Sequence, residues 1–538
     1  MPEQPPNMFA EGLQAAECGD FARAAAIAQS MLARNPNDVH ALQIVGYSAF
    51  QRGDNAGALN AYIKANRAAP GQPALLYWIG VLFKERGDMV QAERAFRTAT
   101  EIKPDYGEAL CHLGETLYLI DKKDEAAAAY EQARAVEPHS ATVLAKCARF
   151  FETIHDLEKA RTLAEQAFDA APSNELIAIA FAEILLREKE TDRAIEILEP
   201  IASADSVNQR NQSKIMSLLA AAYDRKKRYE AAFAALENAH RLQKNITSSQ
   251  VAAQQSPLQT PVLQRTLGFL SDANFASWTS YDALEGAAPV FLIGFVRSGT
   301  TWLDQILSSH PQIEVMEEED NFIDIWPRYV VDQKGAQRLP ALTLDDVNAL
   351  RAAYWKRAKQ ILKDDKGGPV VDKVPLNTAQ LGLIYRIFPD AKIIFAVRDP
   401  RDCVLSAYQQ HFQINAGMAH FLDMTTAAEF YDRVMSIGEI VRNGTALDVH
   451  EIRYENLVAD LEKEARALID FLALPWDDAV LNYRETARQR AVRTPSRQQV
   501  VQKPYATSIG KWRNYRAGMA PALPILSPWV EKFGYDVD

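Results

Sequence analysis

Val290-Phe-Leu-Ile-Gly-Phe-Val-Arg-Ser-Gly-Thr-Thr-Trp-Leu-Asp-Gln-Ile-Leu307 is the stretch that decides the fold of the second half of this 538-residue chain. Its apolar beginning is typical of a buried strand, and a helix follows directly. Between the two, residues 294–301 offer backbone N–H groups and hydroxyls at a helix N-terminus, where the partial positive charge favours an oxyanion. The stretch therefore predicts a phosphate-binding loop.

This loop lacks the lysine of nucleoside-triphosphate-binding loops. The spacing of Gly294 and Gly299 matches those loops, but Thr300 stands where the lysine would follow the second glycine. The usual clamp for a γ-phosphate and its magnesium ion is therefore missing. This difference disfavours an ATP or GTP hydrolase.

Composition excludes several other classes of protein. With 48% apolar and 24% charged residues the chain has the composition of a globular protein, and its length predicts several domains. A net charge of −11 argues against a nucleic-acid binder, although a local basic pocket could hold a small polyanion. The amino terminus resembles no signal peptide, and no apolar run reaches the roughly 18 residues of a membrane span. We therefore expect a cytoplasmic protein.

The first half repeats with a period of 34 residues, the spacing that separates successive prolines in one column of the sequence. Small residues form two further columns in the same register. The three columns are Pro36, Pro70, Pro104, Pro138 and Pro172; Gly12, Gly46, Gly80, Gly114, Ala148 and Ala182; and Ala24, Ala58, Ala92, Ala126, Ala160 and Ala194. Small residues allow two helices to approach closely, and proline separates one unit from the next. The pattern matches the tetratricopeptide repeat.

A seventh unit is displaced by four residues, with Ala220 and Ala232 again 12 apart. We expect a superhelix of about seven helix pairs over residues 1–243, a connector over 244–284 and a second domain over 285–538. The concave groove of such a superhelix suits an extended peptide or a partner protein. The alternative is that the array braces the second domain or forms a homodimer.

The second domain has the pattern of an α/β three-layer fold with a parallel sheet. Short apolar runs near 290–296, 312–316, 369–372, 392–397 and 448–453 alternate with helical segments. Ligands bind at the carboxyl ends of strands in such sheets. The residues that come after the five strands are Arg297, the acidic run Glu317–Asp320, Lys373, Arg398 and Tyr454.

Three separated motifs resemble those of sulfotransferases that use 3′-phosphoadenosine 5′-phosphosulfate (PAPS). They are Arg297-Ser-Gly-Thr-Thr-Trp302, Asp372-Lys-Val-Pro375 and Val397-Arg-Asp-Pro-Arg-Asp402 with Ser406. The resemblance covers residues 285–538 and is closest to the tyrosylprotein sulfotransferase branch, fused to repeats as in a group of bacterial proteins. It implies a P-loop-like domain that transfers a sulfuryl group to a hydroxyl or amine.

The resemblance also implies which residues bind PAPS. The 5′-phosphosulfate would lie on Arg297, Ser298, Gly299, Thr300 and Thr301, with Trp302 against the adenine. Arg398 and Ser406 would bind the 3′-phosphate, since a guanidinium pairs well with a phosphate. Tyr454 would line the pocket, and a carboxy-terminal loop with Ser496 and Lys511 would close over it.

Sulfuryl transfer by in-line displacement needs a base for the acceptor and a cation for the leaving group. The resemblance gives the base to Glu318 and the cation to Lys373, assisted by Arg297, and implies no metal. The neighbouring carboxylates Glu317 and Glu319 and the histidines His310 and His411 are the alternative bases.

The acceptor stays open at the level of sequence. Asp320, Asp324 and Gln410 stand where the tyrosylprotein enzymes carry basic residues, which disfavours acidic tyrosine peptides. A neutral or cationic hydroxyl or amine compound, a glycan or a peptide delivered by the repeats are the alternatives. A kinase on a related fold and an inactive scaffold are the two rival functions; the missing loop lysine disfavours the first, and the intact motifs disfavour the second.

Overall fold

The structure, a computed structural model, describes residues 8–204, 207–278, 281, 284–362, 366–484 and 508–537. The chain divides into two compact units, Met1–Val207 and Asn208–Asp538.

The first unit is all-helical in the residues described, and consecutive helices pack against each other as the repeat pattern predicts. Its helices are α1 Met8–Glu17, α2 Phe21–Arg34, α3 Val39–Gln51, α4 Asn55–Ala68, α5 Pro73–Glu85, α6 Met89–Ile102, α7 Gly107–Leu119, α8 Lys123–Val136, α9 Ala141–Thr153, α10 Leu157–Ala170, α11 Glu175–Arg187 and α12 Thr191–Ala202.

Three glycines of the column face an aromatic ring on the second helix of their pair. A Cβ atom on Gly80 of α5 would lie 2.7 Å from the ring of Phe96 on α6. Gly46 faces Tyr62 and Gly114 faces Tyr130 at the same separation of 2.7 Å. The repeat therefore needs glycine here because an aromatic ring occupies the space of the side chain.

The second unit begins with the displaced helix pair, α13 Gln209–Arg225 and α14 Tyr229–Ala253, followed by α15 Thr260–Ser271. Phe233 of α14 stacks on Tyr408, with ring centroids 5.5 Å apart, and Gln243 Nε2 donates to the carbonyl of Phe412 over 3.0 Å. The compact units accordingly divide at residue 207, ahead of the predicted repeat boundary at 243. The domain limits predicted from the sequence otherwise stay a prediction.

Five parallel strands form a sheet in the described part of this unit, in the order β2-β3-β1-β4-β5. The strands are β1 Val290–Gly294, β2 Glu314–Glu317, β3 Val370–Lys373, β4 Lys392–Val397 and β5 Asp448–Arg453. The predicted parallel α/β fold is confirmed. The observed strands begin or end up to two residues from the predicted bounds.

Helices cover both faces of the sheet. Alternate residues of β1 and β4 point to opposite sides, so Phe291 and Phe395 join one apolar core while Leu292 and Ile394 join the other. The helices are α16 Thr300–Ser308, α17 Gly335–Arg338, α18 Leu344–Ile361, α19 Leu381–Ile387, α20 Pro400–Tyr408, α21 Met424–Gly444, α22 Tyr454–Ala459, α23 Leu461–Phe471 and α24 Leu523–Lys532. Among the described residues, no helix is both long and apolar enough to cross a membrane.

Candidate active site

A cavity of about 610 Å³ lies where the loop between β1 and α16, called here the phosphate-type loop (residues 295–299), meets α16, α20 and the start of α22. Its lining contains more cations than acids among the residues that the structure describes. The cations are Arg225, Lys227, Arg297, Arg398 and Lys511, and the acids are Asp224 and Asp402. In a chain of net charge −11, this local excess suits a small polyanion.

The phosphate-type loop has the backbone of an anion-binding turn. Arg297 has a φ of 69° and Gly299 a φ of 100°, so two residues of the loop adopt the left-handed conformation that is common in anion-binding turns. A Cβ on Gly299 would lie 2.8 Å from Tyr454 Cδ2, which excludes larger residues. The first turn of α16, beginning at Thr300, adds N–H groups that have no partner within the helix.

Arg297 connects the two parts of the predicted donor site, the loop for the 5′-phosphosulfate and the α20 region for the 3′-phosphate. Its Nε donates to Ser406 Oγ over 3.0 Å, from the loop after β1 to the last turn of α20. Both residues line the cavity. The sequence motifs that resembled phosphate binders therefore converge on one place.

Arg398, at the carboxyl end of β4, is held by the surrounding backbone. It donates to the carbonyl of Arg297 over 3.0 Å and to that of Ser508 over 2.7 Å, and its guanidinium lies 4.7 Å from the centroid of the Tyr454 ring. Its Nε is buried and has no hydrogen-bond partner among the described residues. A buried N–H of this kind needs an acceptor, which a phosphate oxygen would supply.

The acids beside Arg398 have other partners. Asp399 pairs with Arg401 over 2.8 Å, which gives Arg401 a structural role. Asp402 accepts the backbone N–H groups of Gly510 and Trp512 over 2.6 and 2.9 Å. Burial raises the pKa of Asp402, and the charge of Arg398 opposes that rise. These contacts fix the carboxy-terminal segment at the rim of the cavity.

That segment brings Lys511 to the cavity. The Lys511 ammonium donates to Asp224 Oδ2 over 2.8 Å and to Gln409 Oε1 over 3.2 Å. Tyr454 lines the cavity, and its hydroxyl contacts Ser508 Oγ at 3.1 Å. Ser496, the other residue predicted in this segment, lies outside the described residues.

Trp302 lines the cavity from the first turn of α16 and is largely buried. Its ring meets Tyr454 edge to face, with centroids 6.0 Å apart and planes at 71°. It thus packs in the core beneath the loop and borders the cavity, which leaves contact with an adenine as a prediction.

Lys373 and Glu318 form an ion pair at the ends of β3 and β2. Lys373 Nζ lies 2.8 Å from Glu318 Oε1 and 3.6 Å from Glu317 Oε1. The lysine side chain is fully buried, whereas that of Glu318 is 42% exposed and that of Glu317 is 11% exposed. Of the three acids considered as bases, Glu318 thus combines contact with the lysine and access to solvent.

The cluster of Lys373, Glu317 and Glu318 lies outside the described lining of the cavity. Neither Lys373 nor Glu318 is among the described residues that line the 610 Å³ space. The register pairs Lys373 with Leu292 of β1 and with Glu317 of β2, so the lysine lies on the strand next to β1 and the acids lie at the end of the strand beyond it.

A buried hydrogen-bond network fixes the segment that carries Glu318. Asp372 Oδ2 accepts from Tyr354 Oη over 2.6 Å and from Asn321 Nδ2 over 3.0 Å. Glu318 itself has a φ of 52°, and its N–H donates to the carbonyl of Lys373 over 2.9 Å. Burial raises the pKa of Asp372 to about 6, against the lowering effect of its two hydrogen bonds.

The two histidines considered as bases have structural contacts. His310 is buried; its Nδ1 accepts the N–H of Gln312 over 3.2 Å and its Nε2 contacts the carbonyl of Pro475 at 2.9 Å. His411 Nδ1 contacts Ser217 Oγ of α13 at 3.0 Å. These contacts favour the carboxylates over the histidines.

Sequence reasoning missed the contribution of the displaced helix pair to the cavity, through Asp224, Arg225 and Lys227. It also missed Ser508 and the network of Asn321, Tyr354 and Asp372. The four-residue displacement of the seventh unit was the available signal that this pair differs from the repeats before it.

Comparisons with known proteins agree with this geometry. Residues 289–478 match the profile of the sulfotransferase family. Residues 9–73 and 46–107 match the profile of the tetratricopeptide repeat, and residues 97–218 match that of the tetratricopeptide repeat protein 21 ARM repeat. The chain therefore combines segments that match tetratricopeptide repeats with a segment that matches the sulfotransferase family.

An uncharacterized protein of Aquifex aeolicus (strain VF5) is 27% identical over 402 residues, which are 72% of this chain and 51% of that protein. The chain thus spans about half the length of that relative. Protein-tyrosine sulfotransferase 1 of Danio rerio is 27% identical over 267 residues, 46% of this chain and 72% of that protein. A thermophilic repeat protein of Thermus thermophilus is 20% identical over 34% of this chain and 98% of its own, with a TM-score of 0.31.

Proposed function

We propose that the protein is a sulfotransferase that moves a sulfuryl group from PAPS to a hydroxyl or amine acceptor. The observation that carries the proposal is the cation-rich cavity at the phosphate-type loop. It holds three motif residues, Arg297, Arg398 and Ser406, within one set of contacts. A donor with phosphate groups at two ends fits these residues. The buried Nε of Arg398 needs a hydrogen-bond acceptor, and an anionic phosphate oxygen would supply it.

The loop from Arg297 to Thr301 is proposed to hold the 5′-phosphosulfate, and Arg398 with Ser406 the 3′-phosphate. Arg297 contributes to both ends, since its Nε reaches Ser406. Tyr454, Trp302 and Lys511 complete the walls, with Ser496 as a further proposed contact. The bound donor would supply the activated sulfuryl group and a bisphosphate leaving group.

Lys373 and Glu318 are the proposed catalytic pair, with Arg297 assisting. Glu318 would take the proton of the acceptor as its oxygen or nitrogen bonds to sulfur, and its exposed carboxylate gives an acceptor access. Lys373 would stabilise the negative charge that remains on the donor oxygen when its bond to sulfur breaks. The ion pair between them holds both groups at neighbouring strand ends before a substrate arrives.

For the acceptor we propose a chemical class and not a particular compound. Asp320 is engaged in the fold, accepting from Trp326 Nε1 over 2.8 Å, and Asp324 is exposed at 3.6 Å from Arg357. The acidic segment beyond Glu318 favours a neutral or cationic acceptor over an acidic peptide. We propose that the repeats bind the acceptor or a partner protein and that the protein acts in the cytoplasm.

Thermal unfolding with added nucleotides tests the donor. Adenosine 3′,5′-bisphosphate in EDTA should raise the Tm by about 3–8 °C at a concentration well above its Kd. ATP in EDTA should have little effect. Stabilisation by ATP with magnesium and none by the bisphosphate would favour a kinase and contradict the proposal.

A further inference from the structure

The turn between α13 and α14 forms part of the wall of the cavity. Here the turn includes the helix ends that flank it, residues 224–229: Asp224 and Arg225 at the end of α13, Lys227 between the helices and Tyr229 at the start of α14 all line the cavity. This turn belongs to a helix pair that precedes the catalytic sheet by some 40 residues and lies outside the sulfotransferase motifs. The motifs alone therefore do not account for all of the site.

Asp224 attaches the turn to the carboxy-terminal segment. Its Oδ1 accepts from Tyr515 Oη over 2.5 Å, and its Oδ2 accepts from Lys511 Nζ over 2.8 Å. The rings of Tyr229 and Tyr515 pack edge to face, with centroids 5.3 Å apart. The two oxygens of Asp224 are thus both engaged, which fixes the turn at the cavity.

The contacts of Lys511 show which end of the cavity the turn occupies. Lys511 also donates to Gln409, the residue directly after α20, over 3.2 Å. Gln409 comes three residues after Ser406, so the two lie on the same face of the helix. The turn therefore lies toward the end of the cavity at which Ser406 would bind the 3′-phosphate.

Two of the five cations in the described lining, Arg225 and Lys227, come from this turn. Burial lowers the pKa of Arg225, and the carboxylate of Asp224 opposes the change, but a guanidinium remains charged at neutral pH. Lys227 is held in a left-handed conformation with a φ of 58°. Cations at this end of the cavity would interact with the 3′-phosphate of the donor, which carries close to two negative charges.

We propose that Arg225 and Lys227 bind the 3′-phosphate end of the donor, so that the helix pair before the sulfotransferase domain is part of the donor site. The inference rests on the proposed function. It assigns to the displaced seventh pair a binding role that the six regular repeats do not share.

Calorimetric titration in EDTA with two probes tests this inference on the full-length protein. The double variant Arg225→Gln/Lys227→Gln should bind adenosine 3′,5′-bisphosphate about 10- to 100-fold more weakly than the wild type, since contacts with charged groups are lost. Its affinity for adenosine 5′-monophosphate, which lacks the 3′-phosphate, should fall by less than about threefold.

The matched control is Lys226→Gln/Arg228→Gln, which removes two cations of the same turn. Neither residue is among the cavity-lining residues that the structure describes, and both are exposed. The control should bind both probes like the wild type. Equal weakening by both double variants would reveal an effect of net charge and overturn the inference.

Two other results are decisive. A wild type that binds the bisphosphate, with an Arg225→Gln/Lys227→Gln variant that binds it equally well, would overturn the inference and leave the proposed function standing. A folded wild type that does not bind the bisphosphate would contradict the proposed function itself.

Discussion

Lys373 is the residue on which the proposed chemistry depends most. Its side chain is fully buried and its charge is compensated by Glu318 and Glu317 at 2.8 and 3.6 Å. Desolvating an ammonium group is costly, and a fold retains such a group where its charge is paired. We infer that the cost is offset by the two carboxylates until the leaving group of the donor adds its charge nearby.

Lys373→Met keeps the length of the apolar stem and removes the ammonium group. We expect kcat for sulfuryl transfer to fall about 10²- to 10³-fold, the range for loss of one group that stabilises a developing charge. Binding of adenosine 3′,5′-bisphosphate should also weaken, but by a smaller factor than kcat, because this product keeps the charged 5′-phosphate oxygen that Lys373 is proposed to stabilise. Lys359→Met, at an exposed position on α18, is the control. A variant with wild-type kcat would remove Lys373 from the mechanism.

Glu318→Gln, compared with the same change at Glu317 and Glu319, tests which of the three acids is the base. It should lower kcat by about 10²- to 10⁴-fold, because an amide cannot take the proton of the acceptor. Glu317→Gln and Glu319→Gln should have smaller effects, since Glu317 is nearly buried and Glu319 lies one residue further from the end of β2. The measurement is steady-state kinetics with each variant. If Glu319→Gln had the largest effect, it would contradict the proposal that Glu318 is the base.

At the scale of elements, the sequence predicted the strands and the position of the candidate site residues at or just after their carboxyl ends. Arg297, Lys373, Arg398 and Tyr454 all stand at strand ends, because the carboxyl ends of parallel strands meet at one edge of a sheet. The contribution of α13–α14 could not be predicted. Its docking depends on side chains such as Phe233 and Tyr408, which are far apart in the sequence and carry no local pattern.

The buried network under the β2 loop predicts a dependence of stability on pH. The pKa of Asp372 is raised to about 6 in the fold, so the folded state binds more protons than the unfolded state between pH of about 4 and 6. Its contribution to the free energy of unfolding should therefore decrease as pH rises through that window. Asp372→Asn, which can still accept from Tyr354 Oη, should flatten this decrease.

Urea unfolding of the wild type and Asp372→Asn at several values between about pH 4 and 7 measures the difference. We expect the variant to gain stability relative to the wild type by up to about 3 kcal/mol toward pH 7. A difference that does not change with pH would show that Asp372 is not protonated in this window.

The glycine column of the repeats predicts a packing effect. Gly80→Ala should lower the free energy of unfolding by about 1–3 kcal/mol, because the new Cβ would lie 2.7 Å from the ring of Phe96. Gly268→Ala on α15 is the control, since a Cβ there meets no described atom within 4 Å. The control should be neutral or stabilising, as alanine favours a helix. Equal destabilisation by both would refute the packing explanation.

The whole molecule joins a repeat array to a unit that contains the sulfotransferase-like segment and one helix pair resembling the repeats. The 34-residue period made the array recognisable from the sequence, whereas the division of the chain at residue 207 required the packing of α13–α14 to be seen. We expect the regular repeats to bind a partner or acceptor, and the seventh pair to serve the donor. The two roles predict that changes in the regular repeats leave donor affinity intact.

Transfer of radiolabelled sulfur from PAPS to components of a host-cell lysate, in EDTA, tests the central claim most directly. The wild-type protein should label at least one acceptor, which mass spectrometry then identifies, and Lys373→Met should label it at least about 100-fold more slowly. A wild type that binds adenosine 3′,5′-bisphosphate but labels nothing would show a scaffold in place of an enzyme. Labelling that is independent of Lys373 would contradict the mechanism proposed for the site.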